Sequence, residues 1–346
     1  MIVLIVGLYS AIAVLATSGL GAIVTQVQAM YPPEDQARVS DLLTYPTLFM
    51  GVGNLLAMPL CVAVGRRPVF LMSLVILVAS GIWCACSSSL SSHIAARDIL
   101  SVAAGQSEAL VAFMVQEVHF LHQRGRAATW NAAIQGAGTG AMFVATTYLV
   151  PAWGVRWWYG VITIINGVLL LAAFFLVPET MYDRIESGEL ISLSSCLEIK
   201  TLLLTIPVDQ GDDGAKAACI VTTANHTLDP DRYGARTWRH DLKLFHFAPR
   251  WSEMWTFYRV TAQSFCVPSI IWLLLLNGAF LGVYVFHSST FAPVLLSPPY
   301  LFDFGFLGFV QLALVVANFI ALPIIGYGSD WIIKLMSRMN KGVYQV

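Results

Sequence analysis

Apolar residues gather in eight long stretches, near 2–26, 42–64, 68–89, 95–117, 129–150, 155–177, 265–287 and 305–328. Each is close to the roughly 20 apolar residues that carry an α-helix across a hydrocarbon core. The pattern predicts an all-α polytopic membrane protein. Six spans follow one another closely, then a polar stretch of nearly 90 residues intervenes before the last two. The run Asp209-Gln210-Gly211-Asp212-Asp213-Gly214 marks that stretch as a linker with little core of its own. Within it, Trp238 to Trp255 mixes aromatic and basic residues and is expected to lie on the membrane surface. The division expected from this is a six-helix bundle over 1–177, a cytoplasmic central loop over 178–264, two further membrane helices over 265–328, and a cytoplasmic segment over 329–346.

Composition sharpens this reading. The chain is 57% hydrophobic and only 11% charged, against roughly 25% charged residues in a soluble domain. A net charge of −1 gives no basis for a nucleic-acid partner. Cys61, Cys84, Cys86, Cys196, Cys219 and Cys266 form no CxxC pair and fall mostly within spans, so they read as small packing residues. The first stretch lacks a basic leader and is too long for a signal-peptide core, and so is read as a membrane helix.

The short loops fix an expected orientation. Arg66 and Arg67 follow span 2, Arg124 and Arg126 follow span 4, and Lys334, Arg338 and Lys341 follow span 8; the opposite side carries Arg38 and Arg156. Seven bases against two place the even-numbered loops and both termini in the cytoplasm. The sequon Asn225-His226-Thr227 then sits in the cytoplasmic loop and is expected to stay unmodified.

Charge inside a span is costly and marks a pathway. Span 4 carries Arg97 and, eleven residues on, Glu108, which returns to nearly the same helical face about 16 Å away. Ser101, Ala104 and Gly105 lie between them, a run of small residues able to border water. Glu108 is a protonatable candidate, and Asp98 falls to one side at the interface. Asn131 and Gln135 share a face of span 5, ahead of Gly136, Gly138 and Gly140. Asn277 and Tyr284 share a face of span 7; Asn54, Gln311 and Asn318 are weaker cavity candidates. His119 and His122 have no third ligand nearby and read as loop residues, not a metal site. No nucleophile elbow or P-loop appears, so neither an enzyme nor an ATP-driven pump is indicated, and no cofactor is implied.

Gly51-Val52-Gly53-Asn54 leading to Pro59, Gly65-Arg66-Arg67-Pro68, Phe120-Leu121-His122-Gln123-Arg124-Gly125-Arg126 and Val177-Pro178-Glu179-Thr180-Met181-Tyr182-Asp183-Arg184 together resemble the major facilitator superfamily, in its twelve-span drug:proton antiporter branch common in fungi. The resemblance implies two six-helix bundles of inverted three-helix repeats around a midplane cavity. It gives this chain the whole first bundle and two helices of the second, truncated after helix 8. It implies a secondary transporter of small organic solutes or drugs, coupled to protons, in the plasma membrane. Arg97 matches the family's membrane-embedded arginine associated with proton coupling, although Leu100 and Ser101 stand where the motif has Gln and Gly. Gly65, Arg66 and Arg67 match the cytoplasmic latch, with Val62 where an acid is usual; Gly326 and Asp330 belong to its copy after span 8. The Gly-Pro element of antiporters is absent from span 5, which leaves symport and uniport open. A non-transporting, incomplete relative is the alternative reading.

Overall fold

The computed structural model describes residues 2–119, 123–180, 243–245, 249–310, 312–328, 331–332 and 335. Asp330, Gln311, His122, the sequon, Lys334, Arg338, Lys341 and the Asp209 to Gly214 run lie outside them. All regular structure among the described residues is helical. We label the helices α1 (Ile2–Gln28), α2 (Asp41–Val64), α3 (Arg66–Cys86), α4 (Leu90–Val118), α5 (Arg124–Trp153), α6 (Val155–Leu176), α7 (Trp251–Ser264), α8 (Pro268–Leu296) and α9 (Phe304–Tyr327).

All eight predicted spans coincide with long helices, and seven of the described helices are long and apolar enough to cross a membrane. The exception is α5, a 30-residue helix diluted by Gly, Thr, Asn131 and Gln135. Its length crosses the same distance, and its small residues meet α1 along one side and α9 along another. A Cβ added at Gly138 would press on Ala11, and one at Gly136 would collide with Asn318 of α9. Close approach of this kind is how helices associate where lipid removes the hydrophobic drive.

The first six helices pack in the pairs α1–α5, α2–α4, α3–α6 and α3–α4. Buried side chains then cross-link them. Tyr9 Oη lies 3.0 Å from Ser73 Oγ and donates to the Ala103 carbonyl, Ser10 Oγ donates to the Ser107 carbonyl, and Thr139 Oγ1 to the Ala11 carbonyl. Each such bond satisfies a hydroxyl that hydrocarbon would otherwise strand.

Three local breaks interrupt this regularity. First, α1 tightens into a 3₁₀ turn at Gly19–Ile23. Second, α4 is interrupted at Gly105, between Leu90–Ala104 and Gln106–Val118. Third, α2 and α3 are joined by Gly65 alone, at φ +117°. This last break corrects the expectation that Arg66 and Arg67 occupy a loop at the end of span 2: both lie in the first turn of α3 and are buried. The helix starts earlier than its apolar pattern because the arginines find acceptors inside the protein.

Within the stretch read as a linker, the helix at α7 begins at Trp251, overlapping only the end of the Trp238 to Trp255 segment. It lies along α2: Tyr258 Oη donates to the Leu55 carbonyl, and the Arg250 N–H donates to the Ala63 carbonyl.

Candidate functional site

Three groups of residues carry the candidate chemistry. The first is built on Gly65. Its positive φ is one that side-chain-bearing residues rarely adopt, and a Cβ there would sit 2.8 Å from Glu179 Oε2. Space and conformation together require glycine, and the space is taken by a carboxylate. Glu179 accepts the backbone N–H groups of Arg66 (3.0 Å) and Arg67 (3.2 Å), so it caps the start of α3 with negative charge. That carboxylate offsets the otherwise unfavourable placement of two cations at a helix N-terminus.

The guanidinium groups turn back into the protein. Arg66 Nη2 pairs with Glu117 Oε1 at 2.8 Å and its guanidinium lies over the Phe113 ring, 4.7 Å from the centroid. Arg67 Nη2 donates to the Phe174 carbonyl at 2.7 Å, with its guanidinium over that residue's ring. Thr180 Oγ1 donates to the second oxygen of Glu117. One cluster therefore ties the α2–α3 junction to the end of α4 and to the segment after α6. Reading the sequence for an acid at position 62 misses Glu117 and Glu179; Glu179 stands within one of the family motifs, but nothing in its spacing points to Gly65.

The second group surrounds Arg97, which is completely buried two turns inside α4. Nε donates to the Leu42 carbonyl (3.1 Å), Nη1 to the Ala16 carbonyl (3.3 Å) and to Tyr159 Oη (3.0 Å), and Nη2 to the Thr17 carbonyl (2.8 Å). Ala16 and Thr17 lie where α1 gives way to its 3₁₀ turn. The last carbonyls of an α-helix lack intrahelical donors and attract a cation. Arg97 thus caps the broken end of α1 from a neighbouring helix. Among the described residues no carboxylate lies within ion-pair distance of it. Tyr159 Oη is also 2.9 Å from His93 Nε2, and His93 Nδ1 is 2.9 Å from Tyr31 Oη. Burial lifts the Tyr31 phenol above its ordinary range, while Arg156 nearby pulls it the other way.

The third group lines a cavity of about 160 Å³ between α1, α2, α4 and α8. Its walls include Thr17, Ser18, Thr47, Asn54, Glu108 and Tyr284 among apolar neighbours such as Val14, Met50 and Leu281. Glu108 is the one carboxylate on this wall. It lies one turn past Gly105 and reaches the cavity, while Arg97, three turns earlier, is enclosed by α1, α2 and Tyr159. The structure therefore brings Asn54, Glu108 and Tyr284 together and leaves Arg97 behind the wall, linked to it through Thr17. Tyr284 Oη is 3.5 Å from Ser18 Oγ across the cavity mouth. Below that contact, a Cβ at Gly21 would collide with the Ser288 carbonyl, so the 3₁₀ turn of α1 rests directly on the α8 backbone.

The remaining candidates fall elsewhere. Asn131 is buried beside Gly7 at the α1–α5 contact, and Gln135 is half-buried one turn on. Asn318 packs on Gly136, and Gly326 on Thr129 of α5. Asn277 is exposed and does not line the cavity with Tyr284. Among the described residues no group of His, Cys, Asp or Glu is arranged to hold a metal ion.

The chain is similar in part to known proteins. A probable transporter of Saccharomyces cerevisiae, AQR1, is 28% identical over 148 residues, 42% of this chain and 25% of its own length. An uncharacterized MFS-type transporter of Schizosaccharomyces pombe is 33% identical over 141 residues, 40% of this chain and 24% of its own. The matched region spans about a quarter of the length of these curated relatives. Among solved structures, the proton:xylose symporter XylE bound to 6-bromo-6-deoxy-D-glucose is 18% identical, with a TM-score of 0.44 over 67% of this chain and 54% of that one. The human organic anion transporter MFSD10 is also 18% identical, with a TM-score of 0.37 over 61% and 56%. The profile of the Major Facilitator Superfamily matches residues 2–343. An integral membrane chain of membrane-length helices, with the facilitator motifs in order and the family profile along nearly its whole length, belongs to the major facilitator superfamily, a family of transporters and not of enzymes.

Proposed function

We propose that the chain is a proton-coupled secondary transporter of small organic solutes, working by alternating access around the cavity between α1, α2, α4 and α8. The observation that carries this reading is Glu108: one carboxylate on a wall otherwise made of hydroxyl, amide and apolar groups. A site so built can hold a proton or the polar end of a solute, and the apolar wall receives the rest of the molecule. A volume of about 160 Å³ suits a small ring or short chain; an engineered cavity of about 150 Å³ takes up benzene.

In this reading Arg97 and Glu108 set the coupling, Arg97 through the end of α1. Gly65, Arg66 and Arg67, with Glu117 and Glu179, form the cytoplasmic latch, to which Gly326 and Asp330 contribute from the second bundle. Asn54 and Tyr284 touch the solute, while Asn131, Gln135 and Asn318 hold the surrounding helices. The charge asymmetry of the short loops supports cytoplasmic termini and a cytoplasmic loop over 178–264; residence in the plasma membrane rests on the family resemblance alone.

The test is transport in proteoliposomes carrying the full chain, with radiolabelled benzamidine, a one-ring cation, as the solute probe and an imposed pH gradient as the drive. Gradient-dependent movement is expected in the wild type and its loss in Glu108→Gln, with the variant's folding unchanged. Wild-type, gradient-dependent rates in Glu108→Gln would remove Glu108 from the mechanism.

A further inference from the structure

Arg97 is held at one end of a buried chain of polar side chains that the transport reading leaves unused. The chain runs from Arg97 Nη1 to Tyr159 Oη, from Tyr159 Oη to His93 Nε2, and from His93 Nδ1 to Tyr31 Oη in the segment between α1 and α2. His93 is 2% exposed and Tyr159 1%. The rings of His93 and Tyr159 meet edge to face with centroids 5.3 Å apart, so packing as well as hydrogen bonding holds the order of the links.

The direction of every link follows from the first. A guanidinium only donates, so Tyr159 Oη accepts from Arg97. The Tyr159 hydroxyl hydrogen then has one partner left in the structure, His93 Nε2, which must be the unprotonated nitrogen. A neutral imidazole carries its proton on the other nitrogen, so Nδ1–H donates to Tyr31. The reverse order would leave the Tyr159 hydroxyl hydrogen buried without an acceptor, a cost sufficient to keep that form below about a tenth of the population.

We propose that Tyr31, His93 and Tyr159 are positioning residues: a hydrogen-bond chain of one fixed polarity that orients Arg97 and ties it to the segment following α1. The same guanidinium grips the Ala16 and Thr17 carbonyls, and Thr17 and Ser18 form part of the cavity wall. The chain therefore holds α1 at two places, through Arg97 at the near edge of its break and through Tyr31 just beyond its end at Gln28. Histidine suits position 93 because it is at once a donor and an acceptor on opposite edges of a rigid ring; a hydroxyl or an amine there would reach one neighbour and not both. The functional consequence rests on the proposed coupling role of Arg97, but the chain's polarity does not.

The test reads the tautomer directly. The full chain, labelled with ¹⁵N-histidine and reconstituted in lipid nanodiscs, is compared with His93→Gln to assign the ring signals of residue 93. The expected result is one neutral form protonated on Nδ1. Tyr159→Phe, which keeps the ring and removes the link, is expected to convert this to a mixture of tautomers, and Arg97→Gln to do the same; if Arg97→Gln fails to fold, Tyr159→Phe decides. A wild-type ring protonated on Nε2, or one whose tautomer survives Tyr159→Phe unchanged, would overturn the proposal. Rescue adds a second readout. His93→Gln can still donate to Tyr31 and accept from Tyr159, and should keep the wild-type benzamidine rate, whereas His93→Phe should fall to that of Arg97→Gln. If the wild type moves no benzamidine, the transport reading fails for that solute while the tautomer still decides the polarity of the chain.

Discussion

Two regions of the protein bury arginine, and they do so by opposite means. At Arg97 every acceptor is neutral: three backbone carbonyls and a phenol. At Arg66 the guanidinium faces a carboxylate, Glu117 from α4, and a second carboxylate, Glu179 from the segment after α6, accepts the backbone N–H groups of Arg66 and Arg67. A cation gripped by helix carbonyls is fastened to the fold itself and can let go only if a helix end unravels. A cation facing a carboxylate on a separate helix can be released by moving one helix and regained by moving it back. The first arrangement suits a fixture and the second a latch. Long-range charge separates them too, because carboxylates can be neutralised by protons and carbonyls cannot.

The comparison predicts a ranking of effects on unfolding free energy, measured on purified protein in mixed micelles. The largest belongs to Arg97→Lys, which keeps the charge and loses the fork. Losing two hydrogen bonds to a charged group, at about 1.5–3 kcal/mol each, costs about 3–6 kcal/mol; a loss below that of Glu117→Gln would break the distinction between fixture and latch. Glu117→Gln leaves Arg66 without its ion pair at a site only partly shielded from water, and is expected to cost about 2–3 kcal/mol. Glu179→Gln removes a charged cap, a loss of about 1–2 kcal/mol. The double variant should differ from the sum of these two by about 0.5–3 kcal/mol, because both carboxylates face Arg66. Strict additivity would mean that the latch is two independent contacts.

Packing gives a control on the polar terms. At Gly53 a Cβ would collide with the Val102 carbonyl, so Gly53→Ala should cost about 1–3 kcal/mol through overpacking. Two residues earlier, Gly51 has open space around its Cβ position. Gly51→Ala should therefore be neutral or gain up to about 1 kcal/mol from helix propensity. The smallest effect is reserved for the exposed pair Arg250–Glu253, 2.9 Å apart, where Glu253→Ala should change stability by less than about 1 kcal/mol.

The fold was legible because hydrocarbon imposes a simple rule. Spans are long and apolar, and all eight stood out, including α5, whose Asn131 and Gln135 lower its hydropathy without shortening it. The family was legible in short motifs at loop positions, where glycine and charge have fewer substitutes. What could not be read was partnership. Val62 looked like a missing acid, yet the arginines have carboxylates from Glu117, some 50 positions on, and Glu179, more than 110. Nor does a shared helix face decide surroundings: Arg97 and Glu108 share a face on paper, yet the end of α1 and Tyr159 enclose Arg97 while Glu108 lines the cavity. His93 gave no signal at all, since a lone histidine in an apolar run has the same appearance whether it links two tyrosines or fills a gap.

The crossing of α2 over α4 has a mechanical meaning beyond its packing. Gly53 sits against the Val102 carbonyl and Gly105 against the Met50 carbonyl, so each helix presses a bare backbone on the other at two neighbouring points. Side chains between helices act as compliant spacers that rotate and absorb small displacements. Here there are none, and the pair behaves as a bearing with very little play. A tilt of α2 is therefore delivered to α4 at Val102 and Gly105, and the residue one turn further along the lever is Glu108.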